Sequence, residues 1–299
     1  MQRGRTGIHA RDPVCAKLNA SIHMHRFILL HLARIACCCL ALAGTSVPAS
    51  AEVIPVASNP ASNPASSGAQ DFTQTMFWKS ANSLAVLILI PGGDAHLGLR
   101  ADQTDLRHQF YQTLKSLTNP QLSAGNIDVV IFDSPTSLDL NSKGYPASRG
   151  TDDHMVRIDS VVRYYREKLN KPVFLMGHSN GAVSVTEYLR YVERNDKPRL
   201  LRGLIYSSAR SLAYFKPPID LPVQFIHHGN DGCPSSLLSA AQSNFENVKG
   251  WNKSETVFTV VTSGEAEGGS PCSSGFHMYN KAGQEVVRII ENFVGRNAN

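Results

Sequence analysis

The sequence predicts an α/β fold built on a doubly wound, mainly parallel β-sheet. Two observations favour it: six short runs rich in apolar and β-branched residues, and stretches with helical periodicity between them. Most of the runs are continuously apolar rather than alternating, which is typical of strands covered on both faces. Regular alternation of strands with helices favours parallel pairing through crossover helices. Such a sheet places functional groups at the carboxyl ends of its strands.

The predicted elements alternate from residue 84 to residue 295. Asp152 or Asp153 is placed to cap the second helix, and glycine, asparagine and proline residues mark the turns. The strands are predicted at 84–90, 127–132, 173–176, 201–207, 223–227 and 256–261. The helices are predicted at about 102–118, 153–169, 180–193, 236–248 and 279–295.

Composition and charge exclude several classes of protein. Of the 299 residues, 42% are hydrophobic and 18% are charged, a balance that suits a globular core and excludes a disordered chain. The net charge of +5 belongs to residues 1–51, since residues 52–299 hold 23 basic and 23 acidic side chains. We therefore predict no nucleic-acid partner. The sequence lacks the phosphate-loop, zinc-peptidase and dinucleotide-binding motifs, so we expect no cofactor and no metal.

The N-terminal residues 1–51 are predicted to be a signal peptide with a leader. A basic start at Met24 precedes a short apolar stretch, and small residues ending at Ala51 form a cleavage site. Translation starts at Met1 or at Met24 in this interpretation. An uncleaved membrane anchor is the alternative, which the charge of Arg34 disfavours. We expect an exported protein, periplasmic or secreted, with no stable membrane insertion after cleavage.

Residues 52–71 are predicted to be a disordered linker, and residues 72–299 are predicted to be the folded domain. Within the linker the tetrapeptide Ala-Ser-Asn-Pro occurs twice in succession. Proline, serine and asparagine bury little apolar surface, so this tract is expected to behave as a tether.

The motif Gly177-His178-Ser179-Asn180-Gly181 directly follows a predicted strand and opens a predicted helix. A G-x-S-x-G pattern in this context holds a serine on a sharp turn, where glycines allow close backbone approach. Amides at the helix N-terminus would stabilise an oxyanion. An ordinary strand–helix turn is the alternative interpretation. The motif and its context resemble the α/β-hydrolase superfamily, over roughly residues 84–295 and without identifying a particular member.

The resemblance implies a catalytic triad in the order serine, acid, histidine. Ser179 matches the nucleophile, and Asp231, just after the fifth predicted strand, matches the acid. His277, after the last predicted strand and before the final helix, matches the base. Asp196 and Asp220 are weaker candidates for the acid. In this arrangement His277 takes the serine proton, and Asp231 fixes the imidazole tautomer.

The resemblance also implies an oxyanion hole, and the spacing of the strands predicts that a large cap domain is absent. The Pro-Gly-Gly-Asp loop after the first predicted strand would supply one amide, from Gly93 or Asp94, and Asn180 would supply the second. A plain turn is the alternative for this loop. Only about fifteen residues separate the fourth and fifth predicted strands, where many superfamily members insert a cap. The site is therefore expected to be open, with walls contributed by Leu138, Leu140, Tyr145, Tyr214 and Phe215.

Two cysteines remain after the predicted signal peptide. Cys233 lies two residues after Asp231, and Cys272 lies five residues before His277. An even pair of cysteines in an exported protein is most simply a disulfide, with two separate thiols as the alternative. A bond between them would hold together the loops that carry the acid and the base.

These observations predict an exported serine hydrolase that cleaves a carboxylic ester through an acyl-enzyme. Its partner would be a small-molecule or peptide acyl substrate. A peptidase or amidase that uses the same triad is one alternative. A non-catalytic binding protein on the hydrolase fold is the other.

Overall fold

The computed structural model describes residues 51–58, 71–138, 140, 147–213 and 220–299. The strands are β1 (Ala51–Ser58), β2 (Asp71–Trp78), β3 (Ala85–Ile90), β4 (Ile127–Asp133), β5 (Val173–His178), β6 (Leu201–Ser207), β7 (Val223–His228) and β8 (Thr256–Val261). They form one sheet in the order β1-β2-β4-β3-β5-β6-β7-β8. β2 is antiparallel to both of its neighbours, and the remaining neighbouring strands pair in parallel. The predicted doubly wound, mainly parallel sheet is confirmed.

Helices cover both faces of the sheet. The α-helices are α1 (Gln109–Thr113), α2 (Asp152–Leu169), α3 (Asn180–Arg194), α4 (Leu238–Trp251) and α5 (Gly283–Asn297). Short 3₁₀ turns lie at Leu114–Thr118, Thr136–Leu138 and Ala147–Gly150. Among the described helices, none is long and apolar enough to cross a membrane.

The first predicted helix is wrong in its N-terminal half, because α1 begins only at Gln109. Side-chain hydrogen bonds hold the preceding residues in turns. Gln112 Nε2 donates to Asp105 Oδ1 over 2.7 Å, and Gln103 Nε2 donates to the Asp105 carbonyl oxygen over 2.8 Å. Local hydrogen bonds of this kind, here centred on Asp105, hold polar groups in a non-helical arrangement and so compete with helix formation.

The strand β3 explains the continuous apolar pattern of the central strands. Val86, Ile88 and Ile90 pack into a core that contains residues of α2, α3 and α4. Leu87 and Leu89 pack on the opposite face, into a core that contains residues of α1 and α5. Each side chain of the strand is therefore buried, whichever face it points to.

The predicted linker is wrong at residues 52–58, which form most of β1. This strand pairs antiparallel with β2 over its full length, from Ala51 opposite Trp78 to Ser58 opposite Asp71. Val56 is buried on it, whereas Glu52 is exposed, so the strand has an alternating pattern at the edge of the sheet. Residues 59–70, which hold most of the predicted linker, and residues 1–50, which hold nearly all of the predicted signal peptide, lie outside the described residues.

The connection between β6 and β7 runs over residues 208–222, which is too short for a cap domain. Part of it, residues 214–219, lies outside the described residues. The predicted wall residues Tyr214 and Phe215 belong to that part. A connection of this length leaves no room for an inserted domain between β6 and β7.

Removing β1 is expected to destabilise the protein, because its buried side chains contribute about 1.5 kcal/mol or more each. A chain that starts at residue 71 should lose at least about 3 kcal/mol of unfolding free energy in urea relative to a chain that starts at Ala51. Within the longer chain, Val56→Ala should lower the urea midpoint, and Glu52→Ala on the same strand should not. Equal midpoints for the two chains would contradict the role given to this strand.

Candidate active site

The residue Ser179 lies on the sharp turn between β5 and α3. Its backbone has φ 52° and ψ −118°, a conformation that non-glycine residues adopt at a cost in free energy. A Cβ atom on Gly177 would lie 2.5 Å from the amide nitrogen of Ala182, and one on Gly181 would overlap the carbonyl oxygen of Ile90. Both glycines of the motif are therefore required by backbone packing around the serine.

The side chains of Asp231 and His277 form a buried pair beyond the ends of β7 and β8. His277 Nδ1 lies 2.8 Å from Asp231 Oδ2, and neither side chain is exposed. The amide of Cys233 donates to Asp231 Oδ1 over 2.9 Å. With Nδ1–H donating to the carboxylate, the lone pair of His277 is on Nε2, on the side of the ring away from Asp231. That atom is buried and has no hydrogen-bond partner among the described residues, Ser179 included.

A second imidazole, His227, faces the same carboxylate. Its Nε2 lies 3.4 Å from Asp231 Oδ2 and 3.1 Å from the carbonyl oxygen of Ser236. Burial lowers the pKa of His227, and the charge of Asp231 opposes that shift only in part. The ring is therefore neutral near pH 7, with Nε2–H donating to the carbonyl oxygen of Ser236. The sequence analysis assigned no role to this histidine, although its position at the end of a predicted strand, four residues before Asp231, is a signal.

The motif residue His178 packs against the ring of His277, with ring centroids 5.3 Å apart. Its Nδ1 lies 3.1 Å from the hydroxyl oxygen of Ser207. Burial lowers the pKa of His178 well below its usual value, and the proximity of His277 lowers it further. Phe110 lies on the other side, with its ring 5.0 Å away. His178 is thus a neutral packing residue that supports the position of His277.

The loop from Pro91 to Asp94 lies against the serine. A Cβ atom on Gly92 would be 3.0 Å from the Cβ of Ser179, a tighter contact than side chains usually make, so a glycine suits this position. The Gly92 amide donates to the hydroxyl oxygen of Tyr111 over 3.0 Å, and burial raises the pKa of that tyrosine to about 12. Since its N–H is engaged in this way, Gly92 is not a donor for an oxyanion.

The amides of Gly93 and Asp94 are the two predicted donors in this loop. Neither N–H donates to an acceptor among the described residues. The Gly93 carbonyl oxygen is held from the opposite side, by Asn180 Nδ2 over 2.9 Å and by Arg149 Nη2. Asn180 is the first residue of α3, where helical N–H groups point out of the helix end. The structure thus places Gly93 in contact with Asn180, the residue that follows Ser179.

The cysteines Cys233 and Cys272 are joined by a disulfide, with their Cα atoms 4.6 Å apart. The bond connects the loop after Asp231 to the loop before His277. The predicted pairing and the predicted neighbourhood of acid and base thus occur together in the structure.

Within the described part of the chain, Leu140, Asp196 and Asp220 make no hydrogen bond to Ser179, Asp231 or His277. Leu140 is buried, and its carbonyl oxygen accepts a hydrogen bond from Ser148 Oγ over 2.7 Å. Tyr145 lies outside the described residues. Asp196 is exposed, and the exposed Asp220 accepts a hydrogen bond from Ser254, so neither competes with Asp231 for the histidine. Within the described part of the chain, no cluster of three or more His, Cys, Asp and Glu side chains is arranged to hold a metal ion.

Comparison with known proteins gives similarity in structure and none in sequence. No protein-family model matches the chain, and no curated protein matches its sequence. The structure of dienelactone hydrolase from Anabaena variabilis aligns with a TM-score of 0.56 at 11% identity, over 84% of this chain and 100% of that one. An esterase from Pyrococcus furiosus aligns with a TM-score of 0.54 at 12% identity, over 84% of this chain and 94% of that one.

A third solved structure also aligns with this chain. It is an α/β serine hydrolase without a lid from Xanthomonas campestris, which aligns with a TM-score of 0.51 at 13% identity, over 83% of this chain and 95% of that one. Similarity at this level of identity shows the fold. The chain therefore has the α/β-hydrolase fold, as the sequence predicted.

Acid is expected to destabilise the fold through its buried histidines. Burial lowers the pKa of His154, His178 and His227, so below about pH 6.5 the unfolded chain binds protons that the folded chain excludes. The unfolding free energy should therefore decrease as the pH is lowered, by at most about 1.4 kcal/mol per pH unit for each histidine. Urea unfolding at pH 7.5 and at pH 5.5 measures this loss. The loss should be smaller in His178→Asn, and an equal loss in both proteins would contradict the assignment.

Proposed function

We propose that the protein is a serine hydrolase that cleaves a carboxylic ester through an acyl-enzyme on Ser179. The observation that carries the proposal is the buried Asp231–His277 hydrogen bond of 2.8 Å, with its unpartnered Nε2, at the sheet edge where Ser179 is held on a strained turn. The names of the structurally similar proteins, an esterase and a dienelactone hydrolase among them, support hydrolysis as the reaction class.

In the first step His277 Nε2 removes the hydroxyl proton of Ser179 as the serine oxygen attacks the ester carbonyl carbon. The carbonyl oxygen becomes an oxyanion, which accepts hydrogen bonds from the amide of Asn180 and from Gly93 or Asp94. Asp231 keeps Nδ1 protonated and stabilises the imidazolium. The Nε2 proton then passes to the alcohol oxygen as the carbon–oxygen bond breaks, which leaves an acyl group on Ser179.

In the second step water takes the place of the alcohol. His277 Nε2 removes a proton from the water as its oxygen attacks the acyl carbon, and the same donors hold the second oxyanion. Collapse of this intermediate returns the proton to Ser179 and releases the acid. Each donor of such an oxyanion hole contributes on the order of 3 kcal/mol to the transition state.

We also propose that the protein is exported and that its disulfide forms outside the cytoplasm. The proposal is supported by the signal-like pattern of the first 51 residues and by the two cysteines that remain after it. A disulfide between Cys233 and Cys272 would restrain the loops of the acid and the base against each other.

A fluorophosphonate is expected to label Ser179 in the native protein, because it phosphonylates a serine that an adjacent base activates. Intact mass should increase by one adduct in the full chain and by none in Ser179→Ala. His277→Ala should slow labelling by at least about 100-fold, since it removes the general base. Native wild-type protein that gains no adduct would contradict the proposal and favour a binding protein on this fold. Ester and amide panels then distinguish an esterase from an amidase.

Reduction is expected to lower both stability and activity. The bond spans 39 residues, and the chain-entropy estimate for a loop of this length is about 4 kcal/mol. A chain that begins at Ala51, treated with a phosphine reductant, should unfold at lower urea and lose ester turnover. Cys272→Ser should match the reduced protein without the reductant. Two thiols that titrate in the untreated native chain would contradict the bond.

A further inference from the structure

A guanidinium contacts the loop of residues 91–94, which we call the oxyanion loop. Arg149 belongs to the 3₁₀ turn before α2, and its side chain is fully buried. Its Nη2 donates to the carbonyl oxygen of Gly93, and its Nη1 lies 3.4 Å from the carbonyl oxygen of Pro91. Nη1 also donates to Ser184 Oγ over 3.0 Å. One side chain therefore connects the loop to α3, the helix that begins after the serine.

These contacts fix the direction of the loop amides. In a trans peptide the carbonyl and the following N–H point in opposite directions. When Arg149 and Asn180 hold the Gly93 carbonyl on the buried side, the N–H of Asp94 points to the other side. Arg149 also holds the Pro91 carbonyl oxygen. The N–H of Gly92, which points the opposite way in the same peptide, donates to Tyr111. The loop is thus restrained at both ends in the conformation that leaves two amides for an oxyanion.

The hydrogen-bond directions around Ser184 allow Arg149 to donate to Ser184 as well as to the loop. Burial lowers the pKa of His154 well below its usual value, so that ring is neutral, and its Nε2 lies 2.9 Å from Ser184 Oγ. The neutral ring can accept the hydroxyl proton of Ser184, which leaves the lone pairs of that oxygen for Arg149. His154 and Ser184 thereby orient the guanidinium toward the loop.

We infer that Arg149 is a positioning residue for the reaction. It holds the oxyanion loop in its donating geometry and acts on the oxyanion through the Gly93–Asp94 peptide. Its permanent positive charge polarises that peptide and strengthens the Asp94 N–H as a donor. Because the restraint matters most where negative charge develops, Arg149 affects the transition state more than substrate binding. The inference rests on the proposed function of Ser179.

Arg157 provides a matched control. It is also a buried arginine, but it lies on α2 and binds β2, near the edge of the sheet. Its guanidinium contacts Asp71, Thr73 and the carbonyl oxygen of Phe72 on β2. Loss of Arg157 removes a buried charge and its hydrogen bonds without touching the oxyanion loop.

The test compares the full chain with Arg149→Met, Arg149→Lys and Arg157→Met. Rates with p-nitrophenyl acetate give kcat and KM, fluorophosphonate labelling gives the reactivity of Ser179, and thermal unfolding gives Tm. Arg149→Met should lower kcat and the labelling rate by roughly 100-fold with KM within about threefold of the wild type, since misplacing a donor by about 1 Å has this effect. Arg149→Lys keeps the positive charge but not the planar set of N–H donors, and should lose less of the rate than Arg149→Met.

Arg157→Met should lower Tm and leave kcat within about threefold of the wild type at a temperature where both are folded. The inference is overturned if the wild type reacts and Arg149→Met keeps its kcat, or if Arg157→Met loses kcat to the same extent. If Arg149→Met does not fold, Arg149→Lys decides: a kcat at the wild-type value overturns the inference, and a loss of at least about tenfold with Tm nearly unchanged supports it. A wild type that neither turns over ester nor labels contradicts the proposed function itself.

Discussion

The first turn of α3 meets the end of β3 with no side chain between the two backbones. At Gly181 even a single methyl group would overlap the carbonyl oxygen of Ile90 and approach that of Pro91. This contact fixes the distance between the serine turn and the loop that follows β3. We infer that three features depend on this contact between Gly181 and Ile90. They are the strained backbone of Ser179, the approach of Gly92 to the Ser179 side chain and the position of the proposed oxyanion amides.

Around this contact, the proposed catalytic groups are held mainly by buried hydrogen bonds. Tyr111 and Arg149 bind the proposed oxyanion loop, and the amide of Cys233 donates to Asp231, whose carboxylate lies 3.4 Å from His227 Nε2. Neutral histidines serve this purpose well, because burial keeps them uncharged while their N–H groups still donate. The same burial makes the fold sensitive to acid, so that positioning of the site and stability against pH are coupled.

The sequence predicted what local patterns encode. Six strands were predicted within about two residues of their observed ends, because continuous apolar runs identify strands buried on both faces. The triad candidates followed from the G-x-S-x-G motif and from the order serine, acid, histidine that the resemblance to the α/β-hydrolase superfamily implies. β1 and β2 were missed because both mix polar with apolar residues, and both lie beside a low-complexity tract. Arg149 and Tyr111 were missed because their partners are distant in the chain, and no local pattern marks a side chain that binds distant backbone groups. His227 was missed although it lies only four residues before Asp231.

The central claim is that Ser179 carries the acyl group during turnover. An ester with a bulky acid, p-nitrophenyl trimethylacetate, slows deacylation, so acid quenching during turnover should trap the intermediate. We predict an initial burst approaching one p-nitrophenol per chain, and a trimethylacetyl group on the peptide that contains Ser179. Hydrolysis that proceeds without a burst, with Ser179 unmodified and with the same rate in Ser179→Ala, would contradict the account.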